Sequence, residues 1–322
     1  MKISPYSRVL IREAKKFGIK IHPVGEAGKM FILRRGEKHT FIYQSLTELT
    51  SDPMYKISAN KYLTNFTLKK FGLPITNFKL GKDINDAKKF LKKYKKIVIK
   101  PLSANQGKGI TIGIKKASEL QEAIDGALKY TVRNKLDSTY KKNFLLEKAV
   151  PGDDHRLLVI NFKIVFAIKK IPAYVVGDGE GTIKQLIEKK NILKLKHKKP
   201  IIIDETLRHV LARQDLRLRD VPKLGQKIFV RRTANLATGG ESIDITDDLN
   251  PKIKKMAIQA AKIMKMPVAG FDFMCRDYTK SKGFFIEVNP IPGLMIHHFP
   301  HIGKPRNPAR EIIKMLIKKK LI

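Results

Sequence analysis

The sequence predicts a mixed α+β protein built from several small sheets, and three observations carry that prediction. Helix-period and strand-period segments alternate along the chain. Of its 322 residues, 43% are hydrophobic and 8% aromatic, an ordinary content for a globular core. Glycine and proline close most of the apolar runs at the places where a helix or strand has to stop.

The elements follow in order. Residues 8–17 set Val9, Leu10, Ala14 and Phe17 at helical spacing, with Gly18 as the left-handed residue that ends the helix. Strands are expected at MFILRR (30–35) and TFIYQS (40–45). A helix over 60–71 carries Leu63, Thr67, Leu68 and Phe71 and stops at Gly72 and Pro74. Ala87, Phe90, Leu91 and Tyr94 mark the next helix, ahead of the strand KIVIK (96–100). Beyond a glycine loop lie a strand, ITIGI (110–114), and a helix opened by Ser118, with Gln121 at capping-box distance. NFLLEKAV (143–150) is a strand leaving its sheet, and HRLLVINFKIVFAIKK (155–170) is a hairpin turning near Asn161. Residues 172–230 are the least regular: a glycine turn feeds a helix at VGDGEGTIKQLI (176–187), a lysine-rich helical stretch follows, and KIFVRR (227–232) is a strand. Ile253, Met256, Ala257, Ala260, Ile263 and Met264 stripe a helix over 252–265, and strands over 268–275 and 283–289 form a last hairpin.

Composition excludes several classes. No run of about 18 apolar residues exists to span a membrane, and the N-terminus reads as an amphipathic helix in place of a signal peptide. The single cysteine, Cys275, leaves no partner for an internal disulfide and rules out a cysteine-built zinc site. A reducing cytoplasm is the expected compartment. Charge is the outlier: 66 Lys+Arg against 29 Asp+Glu give +37, a field that attracts polyanions. The lysines are scattered, and no aromatic–basic interleaving is visible along the chain. Two explanations stay open, a general lysine bias on solvated faces and attraction of an acidic substrate or nucleic acid.

Four stretches carry chemistry. In GFFIEVNPIPGLMIHHF (283–299), Glu287 and Asn289 are two apart at a strand end and share a face with Phe285, leaving Phe284, Ile286 and Val288 for the core. Two hard oxygens side by side suit magnesium; the plainer reading is an edge strand with its polar side in water. Asp272, in the preceding strand, is expected opposite this face. IVIKPLSANQGKGITIGI (97–114) puts Lys100 at a strand end before a loop with Gly107 and Gly109. Such a loop can fold its N–H groups over phosphates; it lacks the P-loop spacing, and a hairpin tip with a structural lysine is the alternative. FLLEKAVPGDDHRLLV (144–159) ends a strand at Glu147–Lys148, where free backbone groups can meet an adenine edge, and continues to Asp153, Asp154 and Arg156. FVRRTANLATGGES (229–242) joins two arginines to small residues able to nest an anion. The glycine turn at 177–181 reads as structural or substrate-facing, the histidines 297, 298 and 301 make a weak metal set, and Cys275 reads as packed.

Taken together from about residue 56 to 303, these stretches resemble the ATP-grasp superfamily of carboxylate–amine ligases. Within it they are most similar to the modules of cyanophycin synthetase and of bifunctional glutamate–cysteine ligase/glutathione synthetase. ISANKYLTNFTLKKFGLPI, IVIKPLSANQGKGITIGI, LEKAVPGDDHRLLVI, IPAYVVGDGEGTIKQLI, TANLATGGESIDITDD and EVNPIPGLMIHHFP keep that family's order. The resemblance implies an ATP-grasp fold with a short N-terminal segment (1–55) and two α+β subdomains, 56–150 and 151–322, clasping ATP. It implies Lys61 and Lys100 on the nucleotide phosphates under a lid with Gly107 and Gly109, and Glu147, Lys148 and Val150 at the adenine. It further implies Asp154 at the ribose, Asp272, Glu287 and Asn289 on magnesium (manganese as the alternative), and Arg156 and Arg231 at the phosphate or acyl group. Gly270 stands where D-alanine–D-alanine ligases carry an arginine, which sets the chain apart from them. The implied activity is amide formation through an acyl phosphate. The implied substrates are an acid and an amine of small-molecule, peptide or acidic-polymer kind; the oligomeric state is left open, with a homodimer among the options. A basic nucleic-acid-binding protein retaining the fold is the rival.

Overall fold

The computed structural model describes residues 3–104, 107–131, 140, 142–192, 199–280 and 282–322. Helix α1 (Pro5–Lys16) starts on a proline, whose missing N–H costs nothing in a first turn, and buries Val9, Leu10 and Ala14. Gly18, at φ +68°, ends it as expected. The strands β1 (Lys20–Val24), β2 (Met30–Arg35), β3 (Lys38–Tyr43) and β4 (Leu46–Thr47) then form an antiparallel sheet in that order. Two of these strands escape the sequence pattern. β1 contains Pro23, which reads as a strand breaker but is tolerated at a sheet edge, and β4 is only two residues long. Phe31, Leu33 and Ile42 are buried on one face. Register places Lys20–Arg34–His39, His22–Ile32–Phe41 and Val24–Met30–Tyr43 in rows on the other. Aromatic and basic residues therefore do interleave, across strands and not along one.

Helices α2 (Asp52–Ala59) and α3 (Lys61–Lys70) meet at Asn60, whose side chain accepts from the N–H groups of Tyr62 and Leu63 and caps α3. Next come β5 (Phe78–Gly81), α4 (Ile84–Tyr94), β6 (Ile97–Lys100), β7 (Thr111–Ile114), α5 (Leu120–Tyr130) and β8 (Phe144–Lys148). Their sheet is ordered β5-β8-β6-β7, fully antiparallel, and the apolar stripes of α4 and α5 close its core around Ile97, Ile99, Phe144 and Leu146. Ser118 does not cap α5. A 3₁₀ turn, Ala117–Glu119, precedes the helix, and the Glu119 carboxylate accepts from the N–H groups of Lys115 and Lys116, doing the cap's work from the other side.

The rest comprises β9 (Asp153–Ile160), β10 (Ile164–Ile171), β11 (Tyr174–Val176), α6 (Ile183–Ile192), α7 (Glu205–Ala212), β12 (Lys227–Phe229), β13 (Glu241–Asp244), α8 (Pro251–Ile263), β14 (Val268–Cys275), β15 (Phe284–Asn289), α9 (Met295–His298) and α10 (Pro308–Lys318). A five-stranded sheet runs β13-β10-β9-β14-β15, and β11 pairs with β12. Asn161 and Phe162, both at positive φ, make the β9–β10 turn where it was expected. Part of the lysine-rich stretch after α6, residues 193–198, lies outside the described residues. Contacts group the chain into two compact units: 1–167 with 246–298 and 306–322, and 168–245 with 299–305. The second has its own core, around Val175, Ile187, Leu207, Leu211 and Val230.

One expectation about β15 is overturned. Asp272 faces Glu287, but Phe273 faces Phe285, so Ile286 is an extra residue in a β-bulge. The alternation shifts by one: Val288 is buried as expected, at 1% exposure, but Phe285, also at 1%, is buried in place of Phe284 and Ile286. Phe285 stacks edge-on against Phe271 and Phe273.

Candidate functional site

The bulge leaves the polar face of the hairpin intact. In register, Arg156 of β9, Asp272 of β14 and Glu287 of β15 stand in one row across three strands, and Gly270 and Asn289 stand opposite each other in the next. Directly opposed antiparallel residues share a face, so strand pairing collects an arginine, two carboxylates and an amide on one surface. Arg156 Nε and Asp272 Oδ1 are 2.7 Å apart, a contact held by charge because the N–H is not aimed along a hydrogen bond. Asn289 Oδ1 accepts from the N–H of Ile291 at 3.0 Å, which fixes the amide at the strand end.

Two lysines of the same unit are buried and already paired. Lys61, the first residue of α3, is 4% exposed and lies 3.3 Å from Glu287 Oε1, while its Nζ also donates to Ala104 O at 2.9 Å. Lys100, at the end of β6, lies 2.6 Å from Glu147 Oε2, with both side chains at 6% exposure or less. Val98 faces Glu147 in the β6–β8 register, so Lys100 and Glu147 are diagonal neighbours on one face. Asn65 donates to the other oxygen of Glu147 at 2.9 Å. Sequence reasoning missed Asn65; its signal was the four-residue spacing from Lys61, which puts both on one face of α3.

The remaining candidates divide. The carboxylate of Glu147 is committed to Lys100 and Asn65, and the N–H and C=O of Lys148 are engaged by Asn77 O and the Thr76 hydroxyl. Val150 lies past the end of β8, where the chain has left the sheet. Asp154 is two residues from Arg156 on β9 and therefore on its face. Gly107 is left-handed, with open space around it. Gly109 is left-handed for a different reason: a Cβ there would meet the backbone of α5 at 2.7 Å. Arg231 belongs to the second unit, where both its terminal nitrogens bond the Asp204 carboxylate, at 2.7 and 2.9 Å, and one also bonds Ile202 O. Those bonds, foremost, hold Asp204 below the usual carboxylate range, and Asp204 also caps α7. Cys275 is buried with its sulfur 3.5 Å from His155 Nδ1.

Asp272, Glu287 and Asn289 fit a divalent ion of the magnesium type. All three offer oxygen, none offers nitrogen or sulfur, and the two carboxylates now face cations, Arg156 and Lys61, where a metal's charge would replace them.

Residues 63–219 match the family model of the prokaryotic glutathione synthetase ATP-grasp domain, and residues 229–313 that of the RimK-like ATP-grasp domain. The chain belongs to the ATP-grasp superfamily. It is 34% identical over 331 residues to cyanophycin synthetase of Geminocystis herdmanii, spanning 98% of this chain and 36% of that protein. To the glutathione biosynthesis bifunctional protein GshAB of Clostridium perfringens it is 33% identical over 324 residues, spanning 96% of this chain and 40% of that protein. It therefore covers well under half the length of these curated relatives. The crystal structure of a bifunctional glutathione synthetase from Pasteurella multocida superposes with a TM-score of 0.71 at 25% identity, over 99% of this chain and 44% of that one.

Proposed function

We propose that the protein is an ATP-dependent carboxylate–amine ligase forming an amide through an acyl phosphate. The observation that carries this is the row Arg156–Asp272–Glu287 with Asn289 beside it, in the same unit as the buried Lys61 and Lys100. In this reading the substrate carboxylate oxygen attacks the γ-phosphorus of ATP and ADP leaves; an amine then adds to the acyl carbon and inorganic phosphate leaves. Lys61 and Lys100 hold nucleotide phosphates under the Gly107 loop, Val150 meets the adenine edge and Asp154 the ribose. Asp272, Glu287 and Asn289 hold magnesium or manganese, which neutralises phosphate charge when bound. Arg156 faces the transferring group, where a guanidinium stabilises spreading negative charge. Arg231 must exchange Asp204 for substrate to do the same. The acid is an acidic amino acid, a γ-glutamyl peptide or an acidic polymer, the kinds of substrate that a +37 chain attracts. Residues 56–150 and 151–322 act as the two clasping subdomains, and a reducing cytoplasm suits the single buried cysteine.

The test is product identity and two substitutions. ADP and phosphate are the expected products; stoichiometric AMP and pyrophosphate in a working reaction would rule the mechanism out. Glu287→Gln and Asn289→Ala should each lose more than tenfold in turnover, above about 1.4 kcal/mol of barrier. The melting temperature of Asn289→Ala should stay near wild type, because its side chain lies outside the core, whereas Glu287→Gln should lose some stability, because it takes the carboxylate from the buried Lys61.

A further inference from the structure

Gly270 stands in the middle of β14, between Leu158 on one neighbouring strand and Asn289 on the other. Glycine inside a strand costs about 0.5–1 kcal/mol relative to alanine, so its presence there needs a reason. Conformation is not the reason, since Gly270 is absent from the residues at positive φ. Space is. A Cβ at 270 would lie 2.6 Å from Nη1 of Arg156, 3.3 Å from its Cδ and 2.9 Å from Pro292 Cβ. The proline contact is about a tenth of an ångström short of what a Cβ accepts and a small shift relieves it, whereas the closer approach falls on the flexible end of Arg156, so the guanidinium would have to move.

We propose that Gly270 is a positioning residue for Arg156: its bare backbone is the floor on which the guanidinium lies, and this fixes where that cation meets the transferring phosphoryl group. The inference rests on the ligase reading above. Two neighbours complete the arrangement. Asp272 draws in Nε at 2.7 Å, anchoring the near edge of the guanidinium while Gly270 receives the far edge. His297 is fully buried, with neither ring nitrogen hydrogen-bonded among the described residues. Burial, then Arg156 and His298, keep its ring neutral, so it adds no second positive charge beside the guanidinium. A side chain at 270 would push the guanidinium off that floor whether or not Asp272 has turned to a metal, and displacements of about 1 Å at a reacting centre cost about 10²-fold in rate.

The probe is ADP with magnesium and aluminium fluoride, a mimic of the phosphoryl group in flight, followed by calorimetry. Gly270→Ala should bind magnesium–ADP within about twofold of wild type but lose at least tenfold of the tightening that fluoride gives, about 1.4 kcal/mol. Arg156→Ala should lose as much, and the double variant no more than Arg156→Ala alone. Should Gly270→Ala fail to fold, Arg156→Lys/Gly270→Ala takes its place, since lysine lacks the fork that would collide. It should match Arg156→Lys within twofold, and a tenfold further loss overturns the role. Full tightening in Gly270→Ala, or an equal loss from Gly270→Ala with and without Arg156, overturns this role and leaves the ligase reading standing. Wild-type protein that binds magnesium–ADP with no fluoride tightening overturns both.

Discussion

At the scale of single residues, Lys100 is a buried, paired lysine that the proposed function also sets on a nucleotide phosphate, so the structural and functional readings need not be alternatives. Its ammonium and the Glu147 carboxylate are both withdrawn from water. Removing one partner of a buried pair strands the other, at about 3–5 kcal/mol. Lys100→Met and Glu147→Gln are each expected to lower the melting temperature of the nucleotide-free protein strongly. The double variant should recover most of that loss and still bind ATP poorly. Thermal denaturation by circular dichroism and nucleotide titration separate the two effects; a double variant no more stable than either single one would mean that the pair is not the source. Both residues were legible in the sequence as strand-end charges. Their partnership was not, because it depends on β6 and β8 being neighbours, a pairing set by residues 47 positions apart. Glu287 and Asn289 were legible for the opposite reason: two positions along one strand fix a shared face without any tertiary knowledge.

At the scale of elements, strong periodicity was read correctly and local chemistry was not. α8 and α4 follow from their stripes, whereas Ile286 looks like an ordinary alternating residue and only the partner strand shows it to be a bulge. α1 packs on α10, and the seam holds two titratable groups. Burial pushes His298 down to about 4, helped by Arg12 and opposed by Glu13, and its Nε2 accepts from the N–H of Ala309. Glu13 is raised by burial but lowered further by hydrogen bonds from Lys16 and Asn307, and ends below its ordinary value. Both signs point the same way. The unfolded chain protonates His298 near 6.5 and the folded one only near 4, so stability is full above 6.5 and falls as pH drops through that window, by about 3 kcal/mol. Glu13 adds a loss at still lower pH, as its depressed folded value is passed. Chemical denaturation of His298→Gln between pH 7 and 4 should show a flatter limb than wild type; an identical slope would locate the acid sensitivity elsewhere.

For the whole molecule, +37 is spread over a chain whose matched relatives include a cyanophycin synthetase and a glutathione biosynthesis bifunctional protein, and the nucleic-acid rival gains no support from them. If the field guides an acidic substrate, raising salt from about 50 to 200 mM should raise its apparent KM and leave kcat nearly unchanged, because screening acts on encounter. An acidic oligomer should respond more steeply than a single amino acid. Flat responses for both would leave lysine bias as the explanation of the charge.

The pairing of Lys61 with Glu287 and of Arg156 with Asp272 has one more consequence at this scale. The protein is, locally, a pair of internal salts, and under the proposed function ligand binding would be a metathesis between salts. ATP alone would take the lysine and abandon Glu287; a divalent cation alone would take the carboxylates and abandon Lys61 and Arg156. Only the neutralised couple lets every ion change partner at once. Affinity for ATP should therefore drop at least tenfold when manganese is chelated, and affinity for manganese should drop by the same factor without nucleotide, since linkage is reciprocal. Such a site would discriminate against loose ions of either sign without any gate, because each half of the exchange would be uphill until the other half arrived.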